Sequence, residues 1–538
     1  MLHHLKEHIL ARRISIFLLL LLPFAGLAQR FSVYQNREFT CYLENFAIND
    51  SAAAAYLTTG LIDYEKIAAL EIELYPRKAR NNYLARKFRR ESFIQIKAKD
   101  FYAKLDPVFD FTGGMDLQDS SSETLFTNSR GLWVRGNIGK QFAFESYFLE
   151  NQSTFPNYLD AFADTFTVIP GQGRWKKFKI NGYDYAASSG KITYAPFRFL
   201  TLQAGHGKPF VGKGYRSLLL SDNSFNYPYL QLHFHSKKWA YSIIYASLQV
   251  VDKVRIYTSK LNEPLFKKKS AAFQMLRYSP HEKISIQLFQ GTIFRVRDSL
   301  HPYFDWNVIN PVIFSSVLQH GLSSSPNVLL GADIQANLSN NFQVYGQYLL
   351  DDFSGNTGSI HNKTGVQLGL RYAHVAGIKN LFFQAEYNRV RPYSYTHKRP
   401  EVSYTHYGQS LTHPLGANFN EWMGFINYRW KDFFVQVKLS YAQYGADSLG
   451  KSYGKNVFAS DNKAQTGISA NNATFLQGIK TDLSFGDLKI SYLINPASNL
   501  IVFVQGIQRK ESSPLTERNN TLVYFGIKTS LFHNYYDF

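Results

Sequence analysis

The sequence predicts an all-β protein, a transmembrane antiparallel β-barrel of about 18 strands preceded by a small N-terminal periplasmic helical segment. Three observations carry this expectation. Apolar and polar residues alternate with period two along many separated stretches, as half-buried strands require. No window after residue 28 holds 18 consecutive apolar residues, which excludes spanning helices. The chain is rich in Tyr (36) and Phe (44) but holds one Cys and four Met. Such side chains suit pleated surfaces and a boundary that is apolar on one side and wet on the other.

The first 28 residues stand apart. Lys6, Arg12 and Arg13 form a positive region, Ile14 to Leu22 a short apolar one, and Gly26-Leu27-Ala28 a small-residue cleavage site. The apolar run is too short to span a bilayer and is broken by Pro23. This is the pattern of an export signal cleaved after Ala28, with the outer membrane as destination. No Cys follows the apolar run to take a lipid, and the Arg12-Arg13 pair lacks the rest of a twin-arginine motif, which favours the general secretory route. Removing residues 1–28 takes away three basic residues and one acidic residue, so the charge of +19 falls to +17. For an exported chain the acidic partners implied are lipid headgroups, lipopolysaccharide and surface polysaccharide, not nucleic acid. Cys41 has no second Cys to bridge, so it reads as a small buried side chain.

Residues 29–92 do not alternate. Two stretches, 61–71 and 81–91, read as short helices; the second sets Leu84 and Phe88 beside Arg80, Arg86, Lys87, Arg89 and Arg90. That segment is expected in the periplasm against the barrel mouth, its basic face solvated or touching lipid headgroups.

The barrel is expected over 93–538. Phe433, Val435, Val437, Leu439 and Tyr441 make one face of a strand; Val366, Leu368, Leu370 and Tyr372 make another. Leu381 to Asn388 and Ile284 to Phe289 alternate likewise. Gly139-Lys140-Gln141 and residues 495–499 (Asn-Pro-Ala-Ser-Asn) are turn signals between such runs. The chain closes on Thr521 to Leu531, with Val523, Phe525, Ile527, Thr529 and Leu531 on one face, and ends on Phe538. A last strand finishing near a terminal aromatic is what barrel-assembly substrates look like. At roughly 24 residues per strand and connection, the alternating region holds about 18 strands.

Enzyme and metal motifs are weak. Residues 207–214 nearly fit a phosphate-cradling loop, but Gly214 occupies the position of the metal-binding hydroxyl. His397, His406 and His413 have no zinc-like spacing and read as hydrogen-bonded side chains. No nucleophile elbow occurs. The sequence therefore predicts no catalytic residue, no metal and no cofactor.

Two stretches are distinctive. Residues 205–230 read Gly-His-Gly-Lys-Pro-Phe-Val-Gly-Lys-Gly-Tyr-Arg-Ser-Leu-Leu-Leu-Ser-Asp-Asn-Ser-Phe-Asn-Tyr-Pro-Tyr-Leu. Residues 391–421 include Arg-Pro-Tyr-Ser-Tyr-Thr-His and His-Pro-Leu-Gly-Ala-Asn-Phe-Asn-Glu. Both resemble the Wzi-like capsule-assembly outer-membrane family, and more closely its Bacteroidetes branch that includes the gliding-motility protein RemB. Asn310-Pro311, the runs 327–333 and 345–352, and 104–108 ahead of the first barrel strands share the resemblance. It implies a barrel of about 18 strands that binds or helps to assemble surface polysaccharide without catalysis. The alternatives are an accessory of gliding motility or surface secretion, with other outer-membrane or motility proteins as partners, or a diffusion porin. Aromatic rings stack on sugar faces and polar side chains bond hydroxyls, so the candidate polysaccharide-binding residues are Tyr215, Arg216, Asp222, Asn223, Tyr227, Tyr229, Tyr393, Tyr395 and Tyr404. The competing reading places Arg216 and Asp222 in an internal salt-bridge network.

Overall fold

A computed structural model of the chain describes residues 82–538 apart from 120–123, 251–266, 295–305, 323–325, 355–358, 449, 463–471 and 532, together with the strands Arg30–Ser32 and Leu61–Asp63. The expected signal segment, Cys41 and most of 29–92 lie outside the described residues.

Among the described residues, eighteen strands close into one antiparallel barrel, running from Phe101–Asp116 to Glu517–Thr529. Each pairs with its neighbours in sequence, and the last closes on the first through the register Leu522↔Asp116 to Lys528↔Asp110. Two short segments, Ile94–Lys97 and Lys176–Phe178, add hairpins to the wall without entering the count. Closure pairs the backbone groups of both edges, which a strand in hydrocarbon must achieve.

Inside and outside are inverted relative to a water-soluble protein. In the strand Ile479–Asn495, Leu488 is 49% exposed and Ile490 43%, while Lys489 and Ser491, which alternate with them, are buried. Gln367 is fully buried beside Leu368 at 57%. The apolar side chains face outward because lipid is their solvent, and the polar ones face the lumen. The expected faces hold in the strands Phe433–Ala446, Lys363–Ala373, Leu381–Val390 and Ile284–Ile293. At one end of the barrel, ring pairs mark the edge of this apolar belt. They are Trp239–Tyr278 (4.4 Å), Phe142–Tyr194 (4.3 Å) and Phe433–Tyr492 (4.9 Å between centroids). Leu488 sits near the middle of its strand, so Leu488→Arg is expected to cost about 2–4 kcal/mol. Its chemical unfolding midpoint in lipid vesicles, compared with that of Lys480→Arg beyond the belt, measures this.

The two ends of the barrel differ. One carries tight turns, among them the expected 139–141 and 495–499; Gly139 takes φ +58 there. The other carries the long connections, including 155–181, 208–226, 391–418 and 447–478. The helix Tyr83–Arg89 belongs to the short-turn end. Asn82 caps it through Leu84 N–H (3.0 Å), and the Asn495 side chain holds it by donating to the Lys87 and Glu91 carbonyls (2.8 and 3.0 Å). The expectation of a helix over 61–71 is corrected at its start, where Leu61–Asp63 is extended and pairs with Arg30–Ser32.

Two other expectations change. Residues 104–108 lie inside the first strand, where buried Asp106 pairs with Arg135 at 3.0 Å. The last strand ends at Thr529, short of the terminal aromatic. Beyond it the chain turns into the lumen, and Asp537 is 1% exposed.

Candidate functional site

Among the described residues, three segments pack deep into the lumen. The first is 208–226, which connects the strands Leu200–Gly207 and Tyr227–His235. Its Leu218, Leu219 and Leu220 are all fully buried. The wall strands hold it by side-chain bonds to its backbone. Tyr215 and Arg216 N–H donate to the Glu386 carboxylate (2.7 and 3.1 Å), Leu218 N–H donates to Gln347 (2.9 Å), and Gln367 donates to the Arg216 carbonyl (3.0 Å). These bonds replace the ladder that the segment gives up by leaving the sheet. Two glycines permit the approach. A Cβ at Gly212, where φ is +113, would lie 2.1 Å from Gln347; one at Gly214 would lie 2.4 Å from the Arg216 carbonyl. The phosphate-loop-like spacing is thus explained by close backbone packing.

The second segment, 391–418, lies against the first. Tyr395 and Tyr404 donate to the Leu218 and Leu219 carbonyls, each at 2.9 Å, and Ser221 N–H donates to the Leu411 carbonyl at 2.8 Å. Asn223 reaches the Ser410 carbonyl at 3.1 Å.

The third segment is the C-terminal tail, 530–538, which enters from the short-turn end. Nine extended residues reach about 30 Å, enough to cross an apolar belt of about 25 Å. The Tyr536 carbonyl accepts from Tyr158 (2.7 Å), the Phe538 carbonyl accepts from Arg509 (3.1 Å), and the Phe538 ring packs on Phe162 (5.2 Å). Tyr158 and Phe162 belong to the helix Asn157–Phe166 in a long connection, so the tail traverses the lumen.

The segments meet at Arg216, which is fully buried. Its guanidinium lies 3.1 Å from Glu421 and 3.1 Å from Asp537, between the rings of Tyr215 and Tyr535, each 5.0 Å away. Lys438 reaches the same Asp537 at 2.9 Å, and Tyr215 donates to it at 2.9 Å. Tyr535 donates to Asp222 at 2.6 Å. Asp537 is thus paired with two cations and a hydroxyl at once, which compensates its burial. His413 lies 2.7 Å from Glu421. Burial pushes its pKa down against the pull of that carboxylate, so the ring is neutral at pH 7. Its Nδ1 accepts Leu415 N–H, which assigns the proton to the Nε2 that donates to Glu421.

The nine candidate binding residues are thus gathered, but in the interior. Tyr215, Arg216, Asp222, Asn223, Tyr227, Tyr393, Tyr395 and Tyr404 are all buried, and Tyr229 is half-buried with its hydroxyl on Gln203. Tyr393 donates to the Ser452 carbonyl at 2.9 Å. Arg216 and Asp222 belong to the internal network that the sequence offered as the competing reading. His397 and His406 accept the backbone N–H groups of Arg399 and Gln249. Sequence reasoning missed Glu386, Glu421, Gln347 and Asp537. For the first three the available signal was a run of acids and amides at lumen-facing positions of otherwise apolar strands; Asp537, in the tail beyond the last strand, had none.

The long-loop rim carries a different surface. Lys267 and Lys268 are exposed at the start of one strand, and Lys398 and Arg399 are exposed in the 391–418 segment. Glu401, two residues further on, pairs with Lys267 at 3.2 Å and so places both groups side by side.

Fold and lumen together define a transmembrane barrel of the outer-membrane class whose interior is packed with its own chain. Among solved structures it is similar to the Escherichia coli outer-membrane protein Wzi, described as a carbohydrate-binding β-barrel involved in group 1 capsule assembly; identity is 14%, coverage 95% of this chain and 100% of that one, and the TM-score 0.49. It is also similar to OprD of Pseudomonas aeruginosa, at 11% identity, 81% and 98% coverage and a TM-score of 0.42. No protein-family model matches the chain. No curated protein matches it. At these identities no residue role passes from one chain to another.

Proposed function

We propose that the protein is a non-enzymatic outer-membrane barrel that binds acidic surface polysaccharide at its long-loop rim, which faces outward from the cell. The observation that carries this reading is the packed lumen. Three segments cross the path a solute would take, which argues against a diffusion porin and leaves recognition to the rim. There Lys268, Lys398 and Arg399 offer exposed cations to carboxylated or phosphorylated sugars, beside Lys267, which shares its charge with Glu401. The nine interior residues act as the scaffold that holds the 391–418 segment in place. An export signal ending at Ala28 and a helix Tyr83–Arg89 on the periplasmic side complete the arrangement. The phrases shared with the motility branch support a narrower proposal, a partner in gliding, which spreading on agar with and without the gene tests.

Reversing the charge at Lys267, Lys268, Lys398 and Arg399 together is expected to shed most cell-associated polysaccharide into the medium while the barrel remains folded. The ratio of bound to shed polysaccharide, set against a gene deletion, measures it. Unchanged retention in both strains sinks the proposal.

A further inference from the structure

One long connection does not stay at the rim. Residues 306–320, between the strands Ile284–Ile293 and Asn327–Asn337, lie along the outer wall of the barrel. The contacts fix the side. Tyr241, Tyr245 and Gln274 share the outward face with Trp239 and Tyr278, whereas Ile244 and Phe273, one position along, belong to the lumen core. Three successive carbonyls of this strap accept from the outward face: Ile309 from Tyr245 (3.1 Å), Asn310 from Gln274 (2.7 Å) and Pro311 from Tyr241. Val308 packs beneath it on Ala272 and Tyr245. The distinctive Asn310-Pro311 phrase therefore sits at the point of attachment.

The register sets the depth. Counting from Trp239 in the pair that marks the belt edge, Tyr241, Ile243 opposite Gln274, and Tyr245 stand two, four and six residues further up the strand. That is about 7, 13 and 20 Å along a tilted strand, inside a belt of about 25 Å. Non-helical backbone at such depth must find its partners within the protein. From Asn310 to Val312 it does. Asn310 N–H donates to the Asn307 carbonyl (3.2 Å), Pro311 has no N–H, Val312 N–H donates to the Asn310 side chain (3.0 Å), and the Val312 carbonyl accepts from Ser315 (3.3 Å). Gln274 is linked through Gln290 to Thr292, and all three polar side chains face outward yet are buried. The outer side of the strap is apolar and open: Ile309, Val312 and Leu318 are exposed, Leu318 at 85%. Residues 306–320 hold no Lys, Arg, Asp or Glu. We infer that this connection is an external membrane strap whose outer face, Ile309, Val312 and Leu318, docks on the acyl chains of the surrounding lipid. It lies apart from the rim cations, so either reading can fail without the other.

The test places one environment-sensitive fluorophore at a time on the full-length protein in phosphatidylcholine vesicles. Cys41→Ser removes the native thiol, and Ile309→Cys, Val312→Cys or Lys398→Cys carries the label. Phosphatidylcholine brominated on its acyl chains is expected to quench the Ile309 and Val312 labels at least twofold. Iodide on both sides of the vesicle should leave them unchanged, and the Lys398 label at the rim should show the reverse. Y241F/Q274L/Y245F removes the three donors and should at least halve the lipid quenching at Val312, with the heat-modifiable gel mobility of the wild type. The inference is overturned if iodide reaches the Ile309 and Val312 labels as it reaches that on Lys398. Labels that neither quencher reaches overturn it too, since a second copy or another protein then covers the strap. Undiminished lipid quenching in Y241F/Q274L/Y245F overturns the part given to the three donors.

Discussion

Replacing Arg216 by alanine is expected to destabilise the protein by about 3–5 kcal/mol, the range for removing one partner of a buried ion pair. The guanidinium faces two carboxylates, Glu421 and Asp537, each at 3.1 Å. Removing it leaves Glu421 with neutral His413 and amide donors, and Asp537 with Lys438 and Tyr215. Both carboxylates are fully buried, so without the guanidinium each keeps a charge that its remaining partners only partly compensate. The deficit of the Arg216→Ala variant should therefore be full at pH 7 and shrink once acid protonates the two buried carboxylates left without it. Adding Glu421→Gln and Asp537→Asn removes the stranded charges and should recover part of the loss. Denaturant titration at pH 7 of the single and triple variants measures both terms. A loss under 1 kcal/mol, or a triple variant less stable than the single, would show that Arg216 does not organise the lumen.

Why the barrel was legible in the sequence, and the lumen was not, follows from the range over which each is encoded. Alternation is a property of adjacent residues, so Leu488-Lys489-Ile490-Ser491 states which side is lipid before any partner is known. The tight turns are equally local. By contrast, Tyr215, Glu386, Glu421 and Asp537 come from four distant parts of the chain and meet only because 208–226 and the tail turn inward. Their chemistry, rings beside charged groups, is also what a sugar site would use. The same residue types therefore suited a lectin surface and a buried network, and only burial distinguishes the two. The terminal aromatic misled for a related reason. Phe538 looks like the end of a last strand, but 531–538 do not alternate, and the Tyr535 and Asp537 side chains have lumen partners to reach.

Ending the chain at Thr529 is expected to open the barrel to ions. The tail crosses the lumen from the short-turn end to Phe162 and forms one wall of a lumen cavity whose lining includes Lys489 and Lys528. Without it, that cavity extends toward the long-loop end along the wall strands. The segments 208–226 and 391–418 keep their own bonds to Gln347, Glu386 and Gln367, so the other side of the lumen stays filled. The truncated chain should show discrete conductance steps in a planar bilayer where the full chain shows none. The steps should favour anions, since Arg371, Lys489, Lys528 and the released Lys438 line the new path. Stability should fall too, because Arg216 loses Asp537 and Arg509 loses the Phe538 carbonyl. If the truncated barrel does not assemble, a full-length variant with Tyr535→Ala and Asp537→Ala tests the same point, since both anchors are lost while the last strand is untouched. Silence from a folded form of either variant would mean that the two loop segments seal the lumen alone. Cation-selective steps would instead place the current along Asp110 and Asp487, away from the lysines.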